Sequence, residues 1–276
     1  MRVVQTDEAS ETLADVQALP DDRSLVIDWV GVKGLSYPIT VLDRDSGTQR
    51  TVGSVTMLVR LPATQKGTHM SRFVEILEKY HNEITLRSVQ AMLREMQDRL
   101  DSERARVEVS FKYFINKHAP VTGARGRVGY DCTLMGRTGV PDRMHLEVRV
   151  PVTTLCPCSK EISQGGAHNQ RGAVTVKVRL RGMLWLEELV EMVERCASCE
   201  VYSVLKRPDE KFVTERAYEH PVFVEDLLRE IAAELMRREV VELFTVEAET
   251  LESIHDHNAY GTLSRVRDPD AETGWR

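Results

Sequence analysis

Residues 144–152 read MHLEVRVPV and residues 173–180 read AVTVKVRL, and these two stretches decide the fold. Apolar side chains occupy every second position in both of them: Leu146, Val148, Val150 and Val152 in the first, and Val174, Val176, Val178 and Leu180 in the second. A period of two predicts β-strands, each with one buried face. Outward from this pair of strands, the apolar pattern changes its period in an order that can be followed along the chain.

Toward the C-terminus the period becomes that of amphipathic helices. One helix carries Leu186, Leu189, Val190 and Val193, a second begins near Pro221, and a last strand lies near VELFTVEAETL at 241–251. Toward the N-terminus, residues 25–137 read strand, strand, helix, helix, strand, strand, with Ser71 and Thr85 at the two helix starts. Each half repeats the order ββααββ, which predicts an α+β fold of two tandem units with antiparallel sheets and helices on one face.

The predicted boundary between the units lies near GRTGVPDR, residues 136–143. The first unit is predicted at 21–138 and the second at 139–263. Residues 1–20 and 264–276 are polar and lack an apolar period, so they are predicted to be a flexible N-terminal tail and a C-terminal tail.

Composition excludes several classes of protein. The chain has 276 residues, of which 42% are hydrophobic and 29% charged, as in ordinary globular proteins and unlike disordered ones. A net charge of −6 argues against general affinity for nucleic acid or an anionic membrane, although a local basic pocket remains compatible with it. The acidic N-terminus does not read as a signal peptide and no long apolar run occurs, so we expect a cytoplasmic protein. Five cysteines, an odd count, argue against a complete disulfide framework.

The densest polar segment is TLCPCSKEISQGGAHNQRG, residues 154–172. It contains six side chains able to bind a metal or an anion: Cys156, Cys158, Lys160, Glu161, His168 and Arg171. Cysteine and histidine suit a zinc-like ion, and a catalytic metal needs about three protein ligands. A third ligand could come from the charged loop at 204–221, whose candidates are Asp209, Glu210, Glu215, Glu219 and His220. The alternative is a polar loop with two incidental thiols.

Two other metal sites are less favoured by the sequence. A structural zinc site could pair Cys156 and Cys158 with the CASC cysteines Cys196 and Cys199, but CASC falls at the end of an amphipathic helix. A zinc nucleobase deaminase needs H-x-E before P-C-x-x-C, and that pattern is absent from the sequence.

Three further groups could act on a nucleotide. His255 and His257, in ESIHDHNAY, could transfer protons, and a surface pair is the alternative. Lys66, His69 and Arg72 stand at a predicted helix start, where an anion such as phosphate would bind; they are the basic residues of KGTHMSR. Glu225 lies in the first turn of the helix near Pro221 and could accept hydrogen bonds from a guanine edge, or be a first-turn acid without a function.

Six segments together resemble the GTP cyclohydrolase I enzymes of the IB type, and the resemblance covers about residues 20–262. The segments are PCSKEIS, GAHNQRG, KGTHMSRF, VGVKGLSYPI, HPVFVEDLLR and ESIHDHNAY. The resemblance implies the tunnelling fold, in which ββααββ units associate into barrels with helices outside. It also implies a homotetramer with active sites between subunits. The implied reaction converts GTP and water to 7,8-dihydroneopterin triphosphate and formate, which opens tetrahydrofolate synthesis and feeds queuosine-type deazapurines.

The same resemblance implies residue roles. A divalent metal, zinc or manganese, would be bound by Cys156, His168 and Glu210. The catalytic side chains would be Cys156, Cys158, His255 and His257, the last three in proton transfer. The substrate-binding side chains would be Glu225 on guanine and, on the triphosphate, Lys66, His69, Arg72, Lys160 and Arg171.

Three cysteines, Cys132, Cys196 and Cys199, receive no role from the resemblance. Three alternative functions also remain open. They are a cyclohydrolase with a cyclic phosphate product, a non-catalytic purine- or pterin-binding module, and a nitrile reductase with a cysteine nucleophile.

Overall fold

The structure is a computed structural model, and it describes residues 16, 17, 19–139 and 143–267. The strands are β1 (Ile27–Asp43), β2 (Gly47–Leu61), β3 (Ala105–His118), β4 (Arg125–Arg137), β5 (Arg143–Leu155), β6 (Asn169–Leu180), β7 (Cys199–Glu200), β8 (Val241–Thr250) and β9 (Ala259–Val266). The helices are α1 (Met70–Tyr80), α2 (Leu86–Arg99), α3 (Pro157–Ile162), α4 (Leu186–Cys196), α5 (Arg207–Glu219) and α6 (Val224–Arg237).

These strands form one antiparallel sheet in the order β1-β2-β3-β4-β5-β6-β8-β9, and the short β7 pairs with the end of β5. The predicted α+β class with an antiparallel sheet is confirmed. The sheet runs through the predicted unit boundary, because Arg137 of β4 pairs with Arg143 of β5. Residues 140–142 of that boundary lie outside the described ranges, and the division into two units stays a prediction.

The core lies between one face of the sheet and the helices. On β3, Val107 and Val109 are fully buried, and Val89 and Leu93 of α2 face the same layer. Burial of each such side chain contributes roughly 1.5–3 kcal/mol. At the start of α2, Thr85 and Ser88 form a capping box, which satisfies backbone N–H groups that the first turn leaves unbonded.

Helix α4 is joined to the first half of the sheet by buried hydrogen bonds. Tyr113 Oη donates to Glu187 at 2.6 Å, and Tyr130 Oη donates to Glu194 at 2.9 Å. The two tyrosines are cross-strand partners on β3 and β4. The second half is therefore held to the first both by main-chain pairing and by this polar seam.

Several local predictions differ from the structure. Residues 204–221 were expected to form a loop, but they include α5, which has little apolar periodicity and buries only Asp209 and Ala217. Ser71 was expected to cap α1, whereas the N-cap is His69 without a side-chain cap bond. The last predicted strand, near 241–251, is β8, and an unpredicted strand, β9, follows it and extends to Val266, into the segment expected to be the C-terminal tail.

The register defines two ends of the sheet. We call the α1 end the one where β2 and β4 finish and β3 and β5 begin, at Leu61, Ala105, Arg137 and Arg143. We call the α3 end the one where β5 and β8 finish and β6 and β9 begin, at Leu155, Asn169, Thr250 and Ala259. No helix in the described ranges has the length and apolar content needed to cross a membrane.

Candidate active site

The polar clusters of the second half meet at the α3 end. Leu155 pairs with Asn169, which brings the start of the Cys156 segment beside its own end at His168. Thr250 pairs with Gly172, so the loop that carries His255 and His257 leaves the sheet next to it. Val222 N donates to Leu155 O at 3.1 Å, which brings the start of α6 to the same place.

Cys156 and His168 are joined through Ser159. Cys156 is the N-cap of α3, and its sulfur accepts a hydrogen bond from Ser159 N at 3.4 Å. Cys156 N donates to His168 O at 3.1 Å, and His168 N donates to Ser159 Oγ at 3.2 Å. Pro157 at the first helical position has the backbone angle that the helix requires. Cys158, one residue further on, is exposed.

The His168 ring is mostly buried and contacts two side chains that the sequence did not single out. Its Nδ1 lies 3.0 Å from Gln170 Oε1 and 3.9 Å from Glu252 Oε2. Gln170 Nε2 in turn donates to Glu252 Oε1 at 3.1 Å. The only sequence signal for these two residues was their position inside GAHNQRG and ESIHDHNAY.

The donors at Cys156 and His168 fit a zinc-like ion. A thiolate and an imidazole are the ligands that such an ion prefers, and a ligating histidine usually bonds a polar group through its other nitrogen, as Nδ1 of His168 does here. Glu210, the third predicted ligand, is exposed in the first turn of α5. It lies about 12 Å along the helix from Tyr218, where α5 meets α3. Within the described residues, no three His, Cys, Asp or Glu side chains are grouped to hold a metal.

His255 and His257 lie in the connection between β8 and β9. The segment turns, and the two rings stack with centroids 5.0 Å apart and planes 18° from parallel. His257 Nδ1 lies 3.2 Å from Asp256 Oδ1. Both rings are exposed, so they are accessible to a bound substrate and to solvent.

The candidate guanine and phosphate groups at the α3 end differ in their surroundings. Glu225 is exposed in the first turn of α6, as predicted from sequence. Arg171 is exposed and lines a cleft of about 580 Å³ together with Thr153, Tyr202 and Thr214. The volume of this cleft is in the range of small-molecule sites.

Lys160 has a partner within the chain. Its Nζ donates to Tyr218 O at 2.5 Å and lies 4.5 Å from the centroid of the Tyr218 ring. These contacts tie α3 to the C-terminal end of α5, so binding of a phosphate by Lys160 would compete with them.

Lys66, His69 and Arg72 lie at the opposite end of the sheet. They follow β2, at the α1 end, whereas the 13-residue β5 runs from that end to Leu155, a span of roughly 40 Å. Arg72 donates to Arg99 O at 3.0 Å and thereby bonds the last turn of α2. A single chain does not bring these three residues to Cys156.

The three remaining cysteines are buried within the fold. Cys132, Cys196 and Cys199 are buried, and burial raises the pKa of each thiol, to about 11 for Cys196 and Cys199. Cys196 ends α4 and Cys199 begins β7. Cys132 and Cys196 belong to the apolar core, whereas the Cys199 thiol donates a weak hydrogen bond to Glu200 Oε2 at 3.8 Å and lines the cleft of Arg171.

Comparison with solved structures shows which proteins share this fold. The chain superposes on uricase from Arthrobacter globiformis with a TM-score of 0.50 and 8% identity, covering 89% of this chain and 95% of that one. A urate oxidase mutant of Bacillus sp. TB-90 gives a TM-score of 0.51 and 9% identity, covering 87% and 100%. At such low identity the likeness concerns the fold alone, and the fold that these structures share is of the uricase-like, tunnelling type.

Residues 13–261 match the model of the family described as type I GTP cyclohydrolase folE2. Proteins named GTP cyclohydrolase FolE2 are similar throughout: that of Nitrosococcus oceani is 50% identical over 256 residues, covering 92% of this chain and 96% of the relative. That of Syntrophobacter fumaroxidans is 51% identical over 258 residues, covering 92% and 100%. The chain belongs to the type I GTP cyclohydrolase FolE2 family.

Proposed function

We propose that the chain is a cytoplasmic GTP cyclohydrolase I of the IB type, which converts GTP to 7,8-dihydroneopterin triphosphate and formate at the start of tetrahydrofolate synthesis. The observation that carries the proposal is the family match over residues 13–261. That range includes Cys156 and His168, which are both hydrogen-bonded to Ser159. A mostly buried histidine beside a cysteine, close in the chain to Gln170 and Arg171, which line a cleft of about 580 Å³, supports hydrolytic chemistry on a purine.

Different side chains at the α3 end would bind guanine, transfer protons and hold the metal. Glu225, exposed at a helix start, accepts hydrogen bonds from the ring N–H and the exocyclic amine of guanine. The stacked pair His255 and His257, with Cys158, gives and takes protons as the imidazole ring of GTP opens and formate leaves. A divalent ion, zinc or manganese, held by Cys156, His168 and Glu210, would supply a water of lowered pKa for attack at C8.

We further propose that the active site is completed by a second copy of the chain in a homotetramer. Lys66, His69 and Arg72 are at the α1 end, too far from Cys156 within one chain to hold the triphosphate of the same GTP. Exposed apolar side chains occur at both ends, where copies would meet: Leu25, Val26, Ile27 and Met70 at the α1 end, and Ile162, Leu251, Ile254 and Tyr260 at the α3 end. Strands β1 and β9 form the two edges of the sheet, and pairing of such edges would close a barrel.

The first test is incubation of the purified chain with GTP and Zn²⁺ or Mn²⁺, with and without EDTA. We expect formate and, after oxidation, a fluorescent pterin, both abolished by EDTA. Product analysis also separates the proposed triphosphate from a cyclic phosphate. Absence of both products with every metal tried would refute the proposed function.

Single variants test the assignment of the site. Cys156→Ala and His168→Ala should each lose bound metal and turnover together, whereas His118→Ala, an exposed histidine on β3, should keep both. Full activity of either site variant after metal removal and readdition would contradict the assignment.

A mixing experiment tests whether two chains share a site. Cys156→Ala and His69→Ala homotetramers should each be inactive, because each lacks one end of every site. Hybrids formed by co-expression should regain part of the activity, since some sites combine the intact α3 end of one chain with the intact α1 end of another. Hybrids with no more activity than the parents would count against a shared site, and light scattering should report the mass of four chains.

A further inference from the structure

A chain of hydrogen bonds from two neighbouring strands lies behind His168. Thr250 Oγ1 donates to Glu252 Oε1 at 2.9 Å, and Gln170 Nε2 donates to the same oxygen at 3.1 Å. Gln170 Oε1 lies 3.0 Å from His168 Nδ1. Thr250 is 3% exposed and Gln170 is 9% exposed, so water does not compete for these bonds.

The direction of each bond follows from chemistry. An ionised carboxylate only accepts hydrogen bonds, so Gln170 must turn its NH₂ group to Glu252 and its carbonyl oxygen to His168. A carbonyl oxygen also only accepts, so His168 Nδ1 must carry the hydrogen of that bond. A neutral imidazole with its hydrogen on Nδ1 has its lone pair on Nε2.

We infer that Gln170 is a positioning residue, which, oriented by Glu252, fixes His168 in the Nδ1–H tautomer and so makes the Nε2 lone pair available for binding. The inference rests on the proposed function, in which His168 is a metal ligand. Loss of the partner of a ligating histidine's other nitrogen typically lowers metal affinity about 10–100-fold.

The test measures two properties that need no GTP. In Gln170→Leu the affinity for Zn²⁺, obtained by competition with a chelator, should fall about 10–100-fold. The ¹⁵N shifts of His168 in metal-free protein, assigned with a His168→Gln variant, should change from one tautomer to a mixture. Gln90→Leu, a substitution of the same kind on α2, should change neither.

An exchange of the two side chains separates positioning from general damage. Gln170→Glu alone places two carboxylates in contact and should weaken Zn²⁺ binding. In the double variant Gln170→Glu/Glu252→Gln the NH₂ group introduced at position 252 can donate both to the carboxylate introduced at position 170 and to Thr250 Oγ1. That carboxylate accepts from His168 Nδ1, so affinity and tautomer should return toward those of the unaltered chain. If Gln170→Leu does not fold, the comparison of Gln170→Glu with the double variant still tests the inference.

Two results would overturn the inference: unchanged Zn²⁺ affinity and tautomer in Gln170→Leu, or a double variant no better than Gln170→Glu. The proposed function fails separately. A chain that shows the expected tautomer and Zn²⁺ changes but does not convert GTP would keep the positioning role and lose the cyclohydrolase assignment.

Discussion

Cys158 and Cys132 mark the extremes of thiol exposure in the chain. Cys158 is exposed in α3, whereas Cys132 is 2% exposed beneath the helices, where burial raises its thiol pKa. The thiolate is the nucleophile, so a raised pKa and burial both suppress reaction. We expect iodoacetamide at pH 8 to modify Cys158 first in the native protein and to leave Cys132, Cys196 and Cys199 unmodified, as measured by peptide mass analysis. Modification of Cys132 as early as that of Cys158 would contradict its burial.

Glu225 allows a residue-level separation of substrate binding from metal binding. Glu225→Gln removes the charge but keeps the size of the side chain, and it replaces one acceptor oxygen by a donor. GTP binding should weaken by about 10–100-fold, in keeping with a lost charge-assisted pair of hydrogen bonds. Zn²⁺ content should not change. GTP affinity equal to that of the unaltered chain, measured by calorimetry, would remove Glu225 from the substrate site.

The sequence singled out candidate site residues by their type, but it did not predict how they contact one another. Cys156 and His168 stand out because cysteine and histidine are uncommon in a polar loop, and the structure places them together. Gln170 and Glu252 could not be singled out, because their contact depends on the register that sets Gly172 opposite Thr250. Neither residue type is distinctive on its own.

Among the elements, α5 shows where apolar periodicity fails as a guide. Its start is held by a polar anchor: Asp209 is fully buried and accepts hydrogen bonds from Val121 N, Thr122 N and Thr122 Oγ1 in the β3–β4 turn, and from Lys206 N. Burial alone would raise the pKa of Asp209, but these hydrogen bonds hold it well below its ordinary value. A helix fixed by one carboxylate leaves no 3.6-residue apolar pattern in the sequence, unlike α2 or α4.

Removal of that anchor should loosen both α5 and the β3–β4 turn. Asp209→Ala leaves several buried N–H and O–H groups without an acceptor, and we expect a loss of about 3 kcal/mol in the free energy of unfolding. Asp98→Ala, at an exposed position of α2, should change it by less than about 0.5 kcal/mol. Urea denaturation of both variants measures the difference, and equal midpoints would contradict the anchoring role.

The long strands and the amphipathic helices were predictable because, unlike α5, they have a regular apolar period. β3, β5, β6 and β8 bury alternate side chains along their length, and α1, α2, α4 and α6 each bury a stripe, so the period of the sequence reports the fold directly. The whole of β9 was missed, because its exposed side chains, on an edge strand, are mostly polar.

For the whole molecule, stability should fall in acid. Burial raises the pKa of Asp43, Glu95 and Glu200, but hydrogen bonds and nearby cations outweigh it and hold each pKa below its ordinary value. Such groups stabilise the fold above the unfolded pKa, about 4, and this contribution is lost as pH falls through the folded pKa. Glu194 acts oppositely: burial raises its pKa against the effect of Lys117, so its contribution is lost as pH rises.

Since these three carboxyls together with Asp209 outweigh Glu194, the urea midpoint should decrease from about pH 5 to pH 3. Glu200→Gln should flatten this dependence while Glu78→Gln, an exposed acid on α1, should not. A midpoint that is constant over this range would mean that the three carboxyls are not bonded as described.

The order of the strands has a consequence for synthesis. Along the main path each long strand pairs with the long strand made just before it, whereas α2 and α6 pack on strands that follow them in the chain. The sheet can therefore grow strand by strand as the chain leaves the ribosome, from β1 toward β9, without waiting for a distant segment. The residues of the α3 end come late in this order, so the candidate site forms on a sheet that is already half built.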